Sequence, residues 1–384
     1  LLVDKIANSR SPQYMVELGH NYELKGDSIY AKQYYELAKQ GIEENSVFAY
    51  NVARTFESHA LIDYAAEVYE RAMILRPESN YNMQLARIYG EQGKVEKMFS
   101  SYIDFVEFNN TYINFAKRAF SEYITEDADN ENNVLLRQVL LRKIQKHPNV
   151  LWNQLLSWLF IQQREYNKAF AQEKAIYKRH QDLQGVIDLA YITLDEGEHE
   201  MAIEVFNYVI ENSYDIELIL EAHKNIIELE LLKAEAKDYN SIEKKYEALF
   251  NTYGLQAQTT NLQLSYGHFV AFYLDDPETA SKFLKDALKN KLTRYQEAQI
   301  KMKLGDILVF QEKFNEALIY YSQIQQNLKN STLSQEARFK VAKASYYKGD
   351  FKWAESQLKI LKSSTSQLIA NDALDLKLLI SDNK

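Results

Sequence analysis

Small side chains recur along this chain at a nearly constant interval, and that recurrence decides what it can fold into. In the stretch Ser46 to Ser79, SVFAYNVARTFESHALIDYAAEVYERAMILRPES, two apolar runs at helical spacing, Phe48 to Ser58 and Ile62 to Leu75, flank a short break. Ala53, Ala65 and Ala72 stand where two helices would touch; Val52, Phe56 and Tyr69 surround them at i, i+3 and i+4, and Pro77 stops the second run. The pattern predicts an antiparallel helical hairpin. Moving back 34 residues from Ala53, Phe56, Ala65, Tyr69 and Ala72 reaches Gly19, Tyr22, Ala31, Tyr35 and Ala38. Moving forward 33 from Val52, Ala53, Phe56, Tyr69 and Ala72 reaches Leu85, Ala86, Tyr89, Tyr102 and Phe105. A hairpin of this size cannot bury its apolar face alone, so it needs neighbours of the same kind stacked on it.

Hairpins of this period resemble the tetratricopeptide repeat (TPR) family. The resemblance implies an all-α fold: an α-solenoid of about ten stacked antiparallel hairpins forming a right-handed superhelix. Composition agrees, because 384 residues are too many for one compact core, and 11 Gly with 4 Pro leave few turns for β-structure. One array over 1–384 is expected, as a fragment of a longer chain, with irregular units or bends at 111–148 and 216–253.

In chain order, Leu1 to Asn8 reads as the second helix of a preceding pair, and Ser11-Pro12 opens the first complete one. Gly26-Asp27 breaks that first pair. In the third, Met98 and Phe105 replace small residues, which predicts looser or rearranged packing. The acidic, polar run Thr125 to Asn133 predicts an exposed loop or bend. The ladder resumes through Leu189, Ala190, Gly197, Ala202 and Phe206, then Gly267, Ala280 and Leu284, then Gly305, Ala317 and Tyr321, then Ala342, Gly349 and Ala354. Thr365 to Ser381 is a last helix with a stripe of Leu368, Ile369, Leu376, Leu379 and Ile380. It either caps the array or begins a further pair, and its apolarity up to Leu379-Ile380 favours the second.

The residues supply little for catalysis. None of the seven histidines has metal-ligand spacing, and His199 sits between Glu198 and Glu200 as a solvated turn residue would. Asp127, Asp129 and Glu131 resemble a calcium loop but lack its glycine, Asn132 standing there, and its closing Glu, Gln138 standing there. Phosphate-binding loops, nucleophile elbows and kinase signatures are missing, and with no cysteine there is no thiol chemistry. The chain is therefore read as non-enzymatic, without cofactor or metal. A formal charge of −9 argues against nucleic acid as a partner, and no apolar run is long enough to span a membrane.

What remains is binding. In the resembled family the first helix of each pair lines a concave face that receives peptides or partner helices. Carried over, that face comprises Tyr50, Asn51, Arg54, Glu57, Gln84, Arg87 and Glu91 in the second and third pairs, and Lys303, Asp306, Phe310, Lys340, Lys343 and Tyr347 near the C-terminal end. Tyr266, Phe269, Phe272 and Tyr273 form a candidate aromatic platform, with packing against a longer neighbouring helix as the alternative. The lysine–asparagine clamp of one subfamily is matched at Asn51 only, since Val16, His20, Asn80 and Gln84 occupy the neighbouring positions. The expected partner is a protein or peptide segment. The segment Ala370 to Asn383 is similar to repeat proteins of the Bacteroidota cell envelope, which implies a periplasmic or outer-membrane-associated scaffold. A cytoplasmic peptide receptor and an interaction domain of a larger enzyme-containing chain are the alternatives.

Overall fold

The computed structural model describes residues 11–361 and 366–382. The helix expected over Leu1 to Asn8 and the side chain of Leu368 lie outside the described residues. Among the described residues every regular element is helical. The chain divides into two compact units, Leu1–Gly185 and Val186–Lys384.

Unit 1 contains α1 (Gln13–Leu24) with α2 (Ser28–Glu44), α3 (Ala49–Ser58) with α4 (Ile62–Leu75), and α5 (Asn82–Glu91) with α6 (Val95–Phe108). There follow α7 (Ile113–Ser121), α8 (Glu131–Lys146), α9 (Val150–Gln162) and α10 (Tyr166–His180). Helix α11 (Gln184–Asp195) carries the division in its first turn. Unit 2 continues with α12 (His199–Asn212), then α13 (Ile216–Leu231) with α14 (Tyr239–Tyr253), and α15 (Thr260–Phe272) with α16 (Pro277–Ala287). It closes with α17 (Arg294–Phe310) and α18 (Phe314–Asn327), α19 (Thr332–Tyr347) and α20 (Phe351–Leu361), and α21 (Gln367–Asp382). Within a unit the partners of a pair pack on each other and first helices touch first helices: α1 on α3, and α13, α15, α17 and α19 in succession. That is the layout of a solenoid.

A recurring contact explains the small-residue period. A Cβ on Gly19 would lie 2.5 Å from the ring of Tyr35, so the missing side chain lets that ring sit against the helix backbone. Ala53 and Tyr69, then Gly305 and Tyr321, repeat the combination at the same separation in the chain, and all four are fully or nearly fully buried. Each aromatic side chain so enclosed contributes about 1.5–3 kcal/mol of apolar burial. The tyrosine hydroxyls are not left bare: Tyr35 donates to Glu23 at 2.6 Å, Tyr69 to Glu57 at 3.0 Å and Tyr321 to Asp306 at 2.7 Å.

The breaks share one geometry. Gly26, Gly93, Gly197 and Gly349 have φ between 70° and 84°, and Ala60, Arg164, Asp275 and Glu312 hold the left-handed conformation at corresponding turns. After this residue the next amide returns to a carbonyl five residues back, as in Asp27 to Tyr22 at 2.9 Å, Leu61 to Phe56 at 2.9 Å and Asp350 to Ser345 at 2.8 Å, except after Asp275, where Asp276 reaches six back to Val270 at 3.0 Å. Each such bond satisfies a helix-end carbonyl and sets the entry of the second helix.

Where the ladder lapses, the packing is rearranged, not loose. Met98 is buried beside Gly90, whose missing side chain makes room for its sulfur, while Phe105 leaves the ladder to meet Tyr112 with ring centroids 4.9 Å apart. The polar connection after α7 is held by buried Asn133, which donates to the carbonyls of Thr125 at 2.7 Å and Asp127 at 2.6 Å. On α21, Ile380 and Ala373 are buried, and Ile369 and Leu376 pack against the same cluster. Leu379, expected in that stripe, is 47% exposed along with Leu374 and Leu378. A straight helix turns the residue after Leu378 away from the face that Ala373 and Ile380 share.

Candidate partner-binding groove

The two ends of the expected binding face differ in how far their charges are already satisfied. In unit 1, Tyr50 and Asn51 are exposed on α3. The charged residues there bind one another: Arg54 pairs with Glu57 at 3.3 Å, Arg87 bonds Glu57 and also Glu91 at 3.1 Å, and Glu57 accepts the Tyr69 hydroxyl. Glu57 is thereby nearly sealed from water, its side chain 7% exposed. Gln84 is half-buried, with its side-chain oxygen unbonded.

In unit 2, α13, α15 and α17 lie side by side and leave a groove of about 550 Å³. Its floor is the face of α15 bearing Asn261, Leu264, Ser265 and His268. Lys224, Glu228 and Leu231 of α13 and Gln299 and Lys303 of α17 flank it, and Leu232 and Tyr273 close one end. Residues on successive turns of one helix point the same way, which is why Lys224, Glu228 and Leu231 share this wall.

Hydrogen bonds fix most of these polar groups. The Tyr246 and Ser265 hydroxyls lie 2.8 Å apart, and Ser265 donates to Glu228 at 2.9 Å. Lys224 reaches Glu221 at 2.9 Å and Glu228 at 3.6 Å. Burial alone would push the Lys224 ammonium down, but those two carboxylates carry its pKa above the ordinary lysine value. Lys303 lies in the opposite state. Burial pushes its pKa down, Asp306 opposes only in part, and no carboxylate among the described residues stands within ion-pair distance. Asp306 is already engaged by the Tyr321 hydroxyl and by Lys340 at 2.9 Å. His268 is held below the usual histidine range by burial and then by Lys303, and its Nδ1 is buried without a partner.

The other expected residues divide. Phe269 is fully buried, with Tyr239, Tyr246 and Tyr273 around its ring, so it belongs to the core of unit 2 and not to a binding platform. Tyr266 packs there too and donates to Glu243 at 3.3 Å, its pKa pushed up to about 12 by burial and by that carboxylate. Phe272 stays at the surface, edge-on to Phe310 at 5.2 Å, and Tyr273 lines the groove. Lys340 is tied to Asp306, Lys343 lies over the Phe339 ring at 5.9 Å, and Tyr347 is exposed beside Tyr346. Sequence reasoning missed Lys224, Glu228, Gln299 and His268. The 4-residue steps Lys224–Glu228 and Gln299–Lys303 were visible signals of a shared helix face, although nothing in them says which face is open. Among the described residues no group of three or more His, Cys, Asp or Glu could hold a metal ion.

Paired antiparallel helices, a left-handed residue at their breaks and a small residue seated against a second-helix tyrosine are together the hairpin that the period predicts. The fold is tetratricopeptide-like. No protein-family model matches the sequence, and no curated protein matches it. Similar solved structures include that of yeast Tom70, 11% identical over 97% of this chain and 96% of that one, with a TM-score of 0.42. YrrB, described as a TPR protein with an unusual peptide-binding site, is 17% identical over 53% of this chain and 96% of its own, with a TM-score of 0.32. PilW, described as a type IV pilus biogenesis factor, is 14% identical over 59% of this chain and 98% of its own, with a TM-score of 0.40. Likenesses of this size assign no function to the tetratricopeptide-like array. No helix of the described residues is long and apolar enough to cross a membrane.

Proposed function

We propose that this chain is a non-enzymatic scaffold that holds a partner protein through an extended segment laid in the groove between α13, α15 and α17. The observation that carries the reading is the contrast between its two candidate faces. On α3 and α5 of unit 1 the charges expected at the binding face are matched to each other, whereas the unit 2 groove keeps an unpaired lysine beside exposed apolar side chains. Surface of that kind is what partner binding covers. The test is affinity capture from the native host with three baits: the parent chain, a Leu232→Asp variant of the groove end, and an Ile319→Asp variant of an exposed residue outside the groove. Loss of the same prey from the groove variant alone supports the reading; equal recovery with all three baits rejects it.

We infer further that the scaffold serves a cell-envelope assembly, periplasmic or outer-membrane-associated. The support is the resemblance of the segment Ala370 to Asn383 to envelope repeat proteins. Fractionation of the native host tests it, and recovery in the cytoplasmic fraction would reject the location while leaving the scaffold reading standing.

A further inference from the structure

The groove carries a preference that exposure alone does not express. Lys224, Glu221 and Glu228 satisfy each other, Glu228 takes a further bond from Ser265, and Asp306 is held by Tyr321 and Lys340. Glu336 is the remaining carboxylate close enough to act on Lys303, and it too stands outside ion-pair distance. Lys303 is thus the cation of the groove that has lost water without gaining a counter-ion. A half-buried ammonium in that position is costly, and a carboxylate brought to it recovers the cost. Beside it the groove end is apolar and open: Leu232 is 65% exposed, Tyr273 lines the same end, and Phe272 stands at the surface against the groove's His268 ring at 4.7 Å.

We propose that the groove selects a partner segment carrying an acidic side chain, which pairs with Lys303, next to a bulky apolar residue that lies against Leu232, Tyr273 and Phe272. The proposal rests on the reading of this groove as a docking site and deepens it. The acid is recognised by charge complementarity at one atom, the Lys303 Nζ. The apolar residue is recognised by area. Lysine serves as a point charge here, so either Asp or Glu satisfies it and a planar bidentate fit is not required.

The test uses the whole chain and three immobilised arrays of synthetic twelve-residue peptides. Each array has a central Glu, Gln or Lys, with randomised aliphatic and aromatic residues on either side. The parent chain should retain Glu-centred peptides over Gln-centred ones by roughly tenfold or more, the scale of a hydrogen bond to a charged group. Lys303→Met keeps the apolar stem and should erase that ratio, Lys303→Glu should turn the preference toward Lys-centred peptides, and added salt should shrink it in the parent. A melting temperature for Lys303→Met at or above that of the parent confirms that the loss is local. Lys313→Met, which removes a lysine paired with Glu278 outside the groove, should leave the ratio within about twofold. Equal retention of Glu- and Gln-centred peptides by the parent overturns the acidic-partner inference and leaves the docking groove in place. No retention on any array overturns both.

Discussion

A tyrosine hydroxyl carried into a helical core must find an acceptor there, and this chain supplies one from the first helix of the same pair each time: Glu23, Glu57 and Asp306 for Tyr35, Tyr69 and Tyr321. Glu23 and Glu57 stand 34 residues apart, the same period as the small residues, yet on the page of the sequence they read as ordinary surface acids. Their role follows from burial: the Tyr321 ring is fully enclosed and its pKa is driven far up by desolvation and by Asp306. Tyr321→Phe should therefore cost ~1–2 kcal/mol in urea unfolding, through the lost bond to a carboxylate. Gly305→Ala acts differently, because its new methyl group would collide with the same ring, so it should lower Tm less in a Tyr321→Leu background than in the parent, whereas the loss from Gly349→Ala, set by that residue's φ of +84° with nothing near its Cβ, should be the same in both. A loss at Gly305 that does not depend on Tyr321 would contradict the ring-against-backbone contact. Ala65→Leu and Ala317→Leu, both at fully buried positions, should each cost ~1–3 kcal/mol by overpacking. Normal melting of both would place the helical register in error.

At the scale of an element, helix α13 shows how one segment serves two surfaces. Its Lys224, Glu228 and Leu231 face the groove, while His223, Ile226 and Ile227 line a separate pocket with Lys245 and Leu249 of α14. His223 has its pKa lowered by burial, as does His268 on α15. For such a group the unfolded chain takes up the proton first as pH falls, so its full contribution to stability exists above the unfolded value of about 6.5 and is lost as pH drops through the lower folded value. The urea midpoint of the parent should fall between about pH 7 and about pH 5, and the double variant His223→Gln/His268→Gln should show a smaller fall. Identical pH profiles would mean that neither imidazole is held neutral by its surroundings. The paired helices themselves were legible before any coordinates: α3, α4 and the break between them follow from the spacing of Val52, Phe56, Ala65 and Tyr69. Phe269 was not legible, because an aromatic residue at helical spacing looks the same whether the neighbouring helix covers it or leaves it bare.

For the whole molecule, stability is a sum over neighbours. In a solenoid each pair contacts those beside it, so a local defect stays local. Ala65→Leu should accelerate amide exchange in α1 to α6 and leave α15 to α20 unchanged, with Ala317→Leu giving the converse. Exchange accelerated throughout the chain by either substitution would mean that the two compact units unfold as one. The absence of cysteine removes disulfides from this accounting, so the order measured is that of packing and hydrogen bonding alone.

The sequence by itself determined that the chain is helical, that its helices come in pairs about 34 residues apart, and where glycine and alanine permit close approach. Those features depend on contacts within one pair, between residues whose separation along the chain is fixed and short. Which charges are spent on each other was decided only by the tertiary structure. Arg87 reaches Glu57 and Lys340 reaches Asp306 across successive first helices, whereas Lys303 reaches none of its neighbours, and no spacing rule distinguishes these lysines and arginines in advance. An ion pair depends on where two flexible side chains end after three helices have packed, and that sum of small rotations is not written in any single repeat.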